Sequence, residues 1–251
     1  MVKAARKSRP RKRHVQQELF RHGGKRKGAG RKPKGHRAGS PHKKRKALKE
    51  RYPVHVVMRV VRAVGSLRRR KMYKALRDAT ITTALRENFR IVHISIQRTH
   101  VHMLVEADDQ PALSRGMQGF QISAAKHLNA AVSTVPYGGK RRRGKVFEDR
   151  FHAEIIETPR QARHALAYVI NNWRKHREDR TGLAKTWKVD PFSSGISFGD
   201  WKELEASPVM WRGRETYDPL VVYRPKTWLL AVGWKLHHRL ISVYEVPRRL
   251  R

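Results

Sequence analysis

Residues 89–107 decide the fold, and they read FRIVHISIQRTHVHMLVEA. The pattern predicts a strand over 89–97 and a second strand over 99–107, with only Arg98 between them. A connection this short permits a tight antiparallel turn, so the stretch is predicted to form a β-hairpin. The residues predicted to share one apolar face of the first strand are Val92, Ile94 and Ile96.

Upstream of the hairpin, the sequence predicts one strand and one helix. The strand begins near Pro53, where an apolar residue recurs at every second position. Its predicted apolar face consists of Val54, Val56, Met58 and Val60. Residues 66–85 predict a helix whose apolar anchors are Leu67, Met72, Leu76 and Leu85.

Downstream of the hairpin, the sequence predicts a helix over 111–135, a strand over 145–157 and a helix over 159–178. Thr158 is the predicted cap of the last helix, with Pro159 in its first turn. The first six elements follow the split βαβ order of a ferredoxin-like fold, which is an α+β class with an antiparallel sheet. Helices are expected on one face of that sheet, and the other face is expected to be free for a site.

The charge of the chain limits its partners. The chain has 251 residues, 58 of them Lys or Arg and 20 Asp or Glu, and a formal net charge of +38. Such a charge indicates a polyanionic partner, of which nucleic acid is the usual one. The apolar stretches are too short to span a bilayer, so we expect no membrane partner and a cytoplasmic, nucleoid-associated location. The absence of cysteine excludes disulfides, thiolate zinc sites and cysteine nucleophiles.

The two ends of the chain differ from its middle in composition. Residues 1–50 are basic and poor in apolar side chains, which predicts a disordered arm. Within the arm, residues 28–35 around Arg31 resemble an AT-hook that enters the minor groove, and a solvated basic linker is the alternative. Residues 181–251 hold five of the six tryptophans and predict a small accessory module. Those tryptophans either form its core, which their composition favours, or stack bases.

Two histidines in the second strand of the hairpin are candidate metal ligands. His100 and His102 are two positions apart, so strand alternation directs both imidazoles to one face and Val101 to the other. Two imidazoles at this spacing can share one divalent metal ion. Chance is the alternative explanation, because the chain contains 14 histidines.

Tyr168 is the candidate nucleophile. On a helical wheel it lies away from the apolar arc of the 159–178 helix, which argues against the alternative of a core aromatic. Asn172 follows one turn later on the same side, where its amide oxygen could complete a metal site. The apolar arc consists of Ala162, Ala165, Leu166, Val169, Ile170 and Trp173.

A His-hydrophobic-His strand followed by Tyr-x-x-x-Asn on a helix resembles the single-tyrosine HUH endonucleases. The closest resemblance is to the REP-associated tyrosine transposases, relatives of the small insertion-sequence transposases. It covers about residues 52–178 and is carried by segments 95–105, 144–151 and 168–172. The family's tyrosine is often followed by His-Leu-Asn-Pro. The residues that follow Tyr168 here include Ile170, Asn171, Asn172 and Trp173, and the spacing to Asn172 is retained.

That resemblance implies a metal-dependent single-strand DNA endonuclease and strand transferase, with residues 51–180 as its catalytic domain. His100, His102 and Asn172 would hold Mg²⁺ or Mn²⁺, and Tyr168 would form a 5′-phosphotyrosine intermediate beside a DNA hairpin. The enzyme would work as a monomer or a homodimer. The residues predicted to contact nucleic acid, each with a solvated surface position as its alternative, are Arg59, Gln97, Lys140, Arg141, Arg142, Arg143, Arg150 and, in the arm, Arg31.

Three other functions stay open at this point. A non-catalytic RNA-binding module has the same kind of fold, but it stacks bases on aromatic side chains of the sheet. A domesticated relative that processes REP hairpins would share the motif residues. A replication or conjugation initiator of the same superfamily is usually larger than 251 residues. In place of aromatic side chains, the hairpin strands here carry His93, Ser95, Gln97, His100 and His102.

Overall fold

The computed structural model describes residues 45–132, 141–180, 182–206, 217–236 and 238–247. Its strands are β1 (Val54–Arg59), β2 (Leu85–Arg86), β3 (Phe89–Ile96), β4 (His100–Ala107) and β5 (His152–Ile155). Its α-helices are α1 (Arg70–Thr83), α2 (Gln110–Val132), α3 (Pro159–Ile170), α4 (Asn172–Lys175) and α5 (Trp234–Leu236). A π-helical turn, Leu229–Gly233, leads directly into α5. The predicted basic arm lies outside the described residues, apart from 45–50.

The five strands form one antiparallel sheet in the order β2-β3-β4-β1-β5. Apart from the two-residue edge strand β2, the elements β1, α1, β3, β4, α2 and β5 follow the split βαβ order. The predicted α+β, ferredoxin-like class is therefore confirmed. The hairpin also forms as predicted, because β3 and β4 pair up to Ile96 and Val101 with the turn around Arg98.

The first face of the sheet is buried under α1 and α2. Gly116 on α2 permits a close approach to β3, because a Cβ at this position would lie 2.3 Å from the ring of Phe89. Burial of this apolar face is the main source of stability for such a layered fold. The sheet residues of this core include Val54, Val56, Met58, Ile91, Ile94, Ile96, Val101, Met103 and Val105.

A β-bulge corrects the predicted face of β3. The pairing of β3 with β4 shifts register between Ile91 and His93. Val92 is the extra residue, and it packs on the second face of the sheet while Ile91 and Ile94 stay on the first. One inserted residue breaks strict alternation. The prediction that Val92 and Ile94 share a face is therefore wrong.

The second face of the sheet is covered in part by α3, although the sequence predicted that it would be free. Two apolar residues of the hairpin point to this side, and their burial against the apolar arc of α3 stabilises the contact. Residues of the C-terminal part of the chain pack into the same core. Its members include Val92, Leu104, Ala162, Ala165, Leu166, Val169, Ile170, Leu229, Leu230 and Trp234.

Three predicted elements are shorter in the structure. The helix predicted over 66–85 is reduced to α1, and Leu85, predicted as one of its apolar anchors, lies in the edge strand β2 and is 45% exposed. The strand predicted over 145–157 is reduced to β5, preceded by a single bridge between Phe147 and Val60. The helix predicted over 159–178 ends at Ile170, and α4 follows after a break at Asn171. The Asn171 side chain donates to the carbonyl of Ser242, a contact with a distant segment that helical periodicity does not reveal.

The C-terminal residues that the structure describes pack on the sheet domain. Arg68, just before α1, donates two hydrogen bonds to Asp190 at 2.8 and 2.9 Å, and both side chains are buried. Trp201 and Trp234 are core residues, whereas Trp228 is 54% exposed. The predicted domain division at residue 181 stays a prediction. No helix in the described ranges is long and apolar enough to cross a membrane.

Candidate active site

β4 carries His100 and His102 on the second face of the sheet, beside the hairpin turn. Their ring centroids lie 4.7 Å apart. Val101 between them is fully buried in the core under α1 and α2. Strand alternation therefore directs both imidazoles to one face, as the sequence predicted.

α3 brings Tyr168 to these histidines. The ring centroid of Tyr168 lies 5.2 Å from that of His102 and 5.8 Å from that of His55, in edge-to-face arrangements. The side chain is half-buried, whereas the apolar arc of the same helix is fully buried. Tyr168 is thus held at the boundary between the sheet and the solvent.

Local sequence and distant contacts both fix the position of α3. Thr158 and Gln161 form a capping box at its start, in which each side chain accepts a backbone N–H of the other residue. Arg163 on the outer side forms a two-bond ion pair with Glu245. Arg174 in α4 donates to the carbonyl of Val243. The C-terminal segment therefore fastens the helix that carries Tyr168.

Asn172 begins α4, one turn beyond Tyr168, and it is fully buried. Neither its amide nitrogen nor its amide oxygen has a hydrogen-bond partner among the described residues, and the same is true of His102 Nε2. Buried polar atoms without partners are costly, so a ligand that satisfied these atoms would be stabilised by them.

These donors fit a metal site that includes an amide oxygen. The described ranges contain no cluster of three or more His, Cys, Asp or Glu side chains suited to a metal ion. A site built from His100 and His102 therefore needs a third ligand of another type, and Asn172 Oδ1 is a hard oxygen donor of the kind that Mg²⁺ and Mn²⁺ accept.

Burial keeps the two motif histidines uncharged. Desolvation, with smaller effects from His176 and Arg59, lowers the pKa of His100 to about 4. Burial, followed by the charges of neighbouring His and Lys side chains, holds the pKa of His102 well below its ordinary value of 6.5. A neutral imidazole retains the lone pair that metal coordination requires.

The structure adds three residues that the sequence did not place at the reacting centre. Lys175 Nζ lies 3.4 Å from the hydroxyl of Tyr168 and 4.5 Å from its ring centroid. The ring of His176 lies 5.5 Å from that of His100. The ring of His55 contacts those of both His102 and Tyr168. Helical spacing already put Lys175 on the side of Tyr168, but no sequence signal marked His176.

The basic residues predicted to contact nucleic acid have different surroundings. Arg59 is paired in register with His100 and is more than half exposed, 4.0 Å from Glu148. Arg143 and Arg150 are exposed. Arg141 and Arg142 donate to α2, to the carbonyl of Lys126 and the side chain of Asn129 respectively, so these two side chains are held against α2.

One predicted contact residue is in the wrong environment for that role. Gln97 is only 1% exposed and donates to the hydroxyl of Ser95, so its amide is not accessible to a phosphate. Its backbone N–H donates to the carbonyl of His100 across the hairpin turn. Lys140 and Arg31 lie outside the described residues.

Residues 49–172 match the family model described as "Transposase IS200 like". This range contains His100, His102, Tyr168 and Asn172 together with the strands and helices that position them. The chain therefore belongs to a family of transposases. That family is the IS200-like transposases.

Two solved structures are similar to this chain. One is a REP-associated tyrosine transposase bound to a REP hairpin, with 18% identity, a TM-score of 0.45, and coverage of 74% of this chain and 99% of that chain. The other is described as a transposase from Deinococcus radiodurans, with 13% identity, a TM-score of 0.32, and coverage of 57% and 98% respectively. At these TM-scores neither likeness supports a functional argument. No curated protein matches the chain.

Proposed function

We propose that this transposase cleaves single-stranded DNA beside a hairpin and rejoins it through a covalent tyrosine intermediate. One observation carries the proposal: Tyr168 lies 5.2 Å from the ring of His102 within a single chain, and a lysine ammonium lies beside its hydroxyl. A tyrosine held in this way, next to neutral buried histidines, has the surroundings of a nucleophile.

The reaction exchanges one phosphodiester for another. The phenol oxygen of Tyr168 attacks the phosphorus, and the bond from phosphorus to the 3′ oxygen breaks with its electron pair. The 3′ oxygen takes a proton and leaves as a free 3′-OH, while the phenol proton passes to solvent. Because the bond energy is retained in a 5′-phosphotyrosine, a 3′-OH can reverse the step and join strands without a nucleotide cofactor.

Lys175 supports the nucleophile electrostatically. Its Nζ is 3.4 Å from the Tyr168 hydroxyl, where a positive charge stabilises the negative charge that develops on the oxygen. The ammonium also lies 4.5 Å from the ring centroid, so it interacts with the ring as well as with its oxygen.

His100, His102 and Asn172 would hold Mg²⁺ or Mn²⁺. When bound, such an ion supplies Lewis-acid polarisation of a phosphate oxygen. The support in this chain is that His102 Nε2 and the Asn172 amide are buried without hydrogen-bond partners among the residues that the structure describes, and that both histidines have a lowered pKa.

The DNA backbone would bind across the exposed basic side chains around the site. Arg59 on β1 is paired in register with His100 on β4. Arg143 and Arg150 are exposed on the connection that leads to β5. With a net charge of +38, binding should weaken steeply as salt rises, because phosphate contacts release counterions.

The decisive experiment incubates an end-labelled single-stranded DNA hairpin with the full chain and either Mg²⁺ or Mn²⁺, and then separates covalent adducts by denaturing electrophoresis. Wild type should form the adduct, and Tyr168→Phe should lose it while retaining DNA binding. Tyr244→Phe is the matched control, because Tyr244 is an exposed tyrosine that makes no contact with His102. An adduct that persists in Tyr168→Phe would falsify the nucleophile assignment. Binding without an adduct in wild type would favour a non-catalytic nucleic-acid-binding protein.

A further inference from the structure

His55 is a buried polar residue that the proposed reaction does not use. It lies on β1, faces the same side of the sheet as His102 and is 4% exposed. Its strand neighbour in β4 is Leu104, so its ring reaches His102 diagonally across the pair of strands. A side chain as polar as histidine is seldom buried at such a position without a hydrogen-bonding role.

The ring of His55 is hydrogen-bonded to the ring of His102. His55 Nε2 and His102 Nδ1 lie 3.2 Å apart, and the two ring planes are parallel to within 7°. Because an imidazole lone pair lies in the plane of its ring, parallel rings allow the N–H of one to point at the lone pair of the other.

Only one direction of this hydrogen bond leaves His102 able to bind a metal ion. If His55 donates from Nε2, the proton of neutral His102 is on Nε2, where it is a buried donor without a partner among the described residues. If His102 donates from Nδ1, its proton is paired with His55 and its Nε2 lone pair is available to a ligand.

We infer that His55 is a positioning residue that accepts the Nδ1 proton of His102 and so holds His102 in the tautomer whose Nε2 can bind the metal. The inference rests on the proposed function, since it concerns the ligand set of that site. Partners of this kind fix the ring orientation and tautomer of metal-binding histidines, and their loss typically weakens metal affinity about 10- to 100-fold.

The choice of variants separates hydrogen bonding from packing. His55→Leu removes the acceptor and keeps an apolar side chain of similar bulk in the buried position. His55→Gln restores a side-chain acceptor. His93→Leu is the matched control, because His93 is also a buried histidine of the sheet but bonds to Ser194 and Phe198 packs on it. If His55 acted only by packing, His55→Leu would retain metal affinity, and an acceptor such as the glutamine of His55→Gln would not be required.

The experiment titrates Mn²⁺ into the full-length chain and follows the free ion by electron paramagnetic resonance. We expect an affinity about 10- to 100-fold weaker in His55→Leu, affinity within a few-fold of wild type in His55→Gln, and no change in His93→Leu. A folded His55→Leu protein with wild-type Mn²⁺ affinity would overturn the inference while leaving the proposed function intact. Equal Mn²⁺ binding in wild type and His102→Ala would instead overturn the proposed metal site.

A second measurement does not depend on the variants being folded. Two-dimensional ¹⁵N NMR of the imidazoles distinguishes a protonated ring nitrogen from one with a free lone pair, and it can be recorded on wild type with and without Mg²⁺. We expect the proton of His102 on Nδ1 in both states. A proton on Nε2 in the Mg²⁺-free protein would contradict a tautomer held by His55.

Discussion

At the scale of single residues, the chemistry depends on which side chains carry charge. His55, His100 and His102 are held neutral by burial, whereas Lys175 is half-buried and its ammonium lies against the nucleophile. In the proposed reaction, the neutral histidines would bind a cation, and the positive charge of Lys175 would stabilise the negative charge that develops on the Tyr168 oxygen.

Replacing Lys175 tests the contribution of that charge. We expect Lys175→Met to lower the rate of adduct formation on the order of 100-fold, because the stabilisation of the phenolate oxygen is lost. Binding of the hairpin should change little, since one charge among 58 Lys and Arg is removed. Lys185→Met, at an exposed position outside the site, serves as the control. Equal rates of adduct formation in the two variants would mean that Lys175 does not contribute to the reaction.

Buried histidines also make the stability of the protein depend on pH. Desolvation lowers the pKa of His93 and of His55 to about 4, below the ordinary 6.5 that each regains on unfolding. The unfolded state therefore binds more protons on acidification, so stability is complete above about pH 6.5 and falls as the pH drops toward 4. The expected loss is about 1.4 kcal/mol per pH unit for each histidine, measured by urea unfolding at several pH values. His93→Leu should flatten this dependence, and a wild-type stability that stays constant down to pH 5 would contradict it.

At the scale of elements, α3 is the helix that brings Tyr168 to the histidines of β4. Its capping box and Pro159 start the helix where the sequence predicted, and its apolar arc packs as predicted. The end of the helix was predicted wrongly: α3 ends before Asn171, whose side chain donates to the carbonyl of Ser242, a residue far away in sequence. The face of Val92 was wrong for a related reason: the bulge in β3 follows from pairing with β4 and is invisible to simple alternation.

The capping box predicts a measurable effect on this helix. Thr158→Ala should cost about 1 kcal/mol of the free energy of unfolding, because the N–H of Gln161 loses its acceptor. Thr158→Ser keeps the hydroxyl and should remain close to wild type. Urea unfolding of the three proteins checks this, and an alanine variant as stable as the serine variant would count against the cap.

At the scale of the whole molecule, the described residues of the candidate site meet within one chain. β4 provides the histidines, and the helical segment that follows β5 provides Tyr168, Asn172 and Lys175. The C-terminal segment fastens α3 to this position through the Arg163–Glu245 pair and the contacts to Ser242 and Val243. We therefore expect the proposed reaction to use Tyr168 and the histidines of the same chain.

Mixing two inactive variants tests this arrangement. His102→Ala and Tyr168→Phe should each fail to form the DNA adduct, and their mixture should fail as well, because every chain lacks one half of its own site. Each variant mixed in equal amount with wild type should retain the adduct formed by the wild-type fraction. Activity regained in the mixture of the two variants would mean that Tyr168 works on the histidines of a partner.

The sequence by itself determined the features that depend on neighbouring residues along the chain. Alternation placed His100 and His102 on one face, and the capping signal at Thr158 with the apolar arc oriented Tyr168 away from the core. The charge of +38 indicated a polyanionic partner without reference to any fold.

The tertiary structure alone decided what depends on distances between elements. It covered part of the second face of the sheet with α3 and buried the Asn172 amide without a hydrogen-bond partner in the described part of the chain. It also placed Lys175 at the Tyr168 hydroxyl and joined His55 to His102. These contacts arise from the packing of apolar residues that are far apart in sequence. Local periodicity says which side of an element is apolar, but it does not say which other element will bury that side.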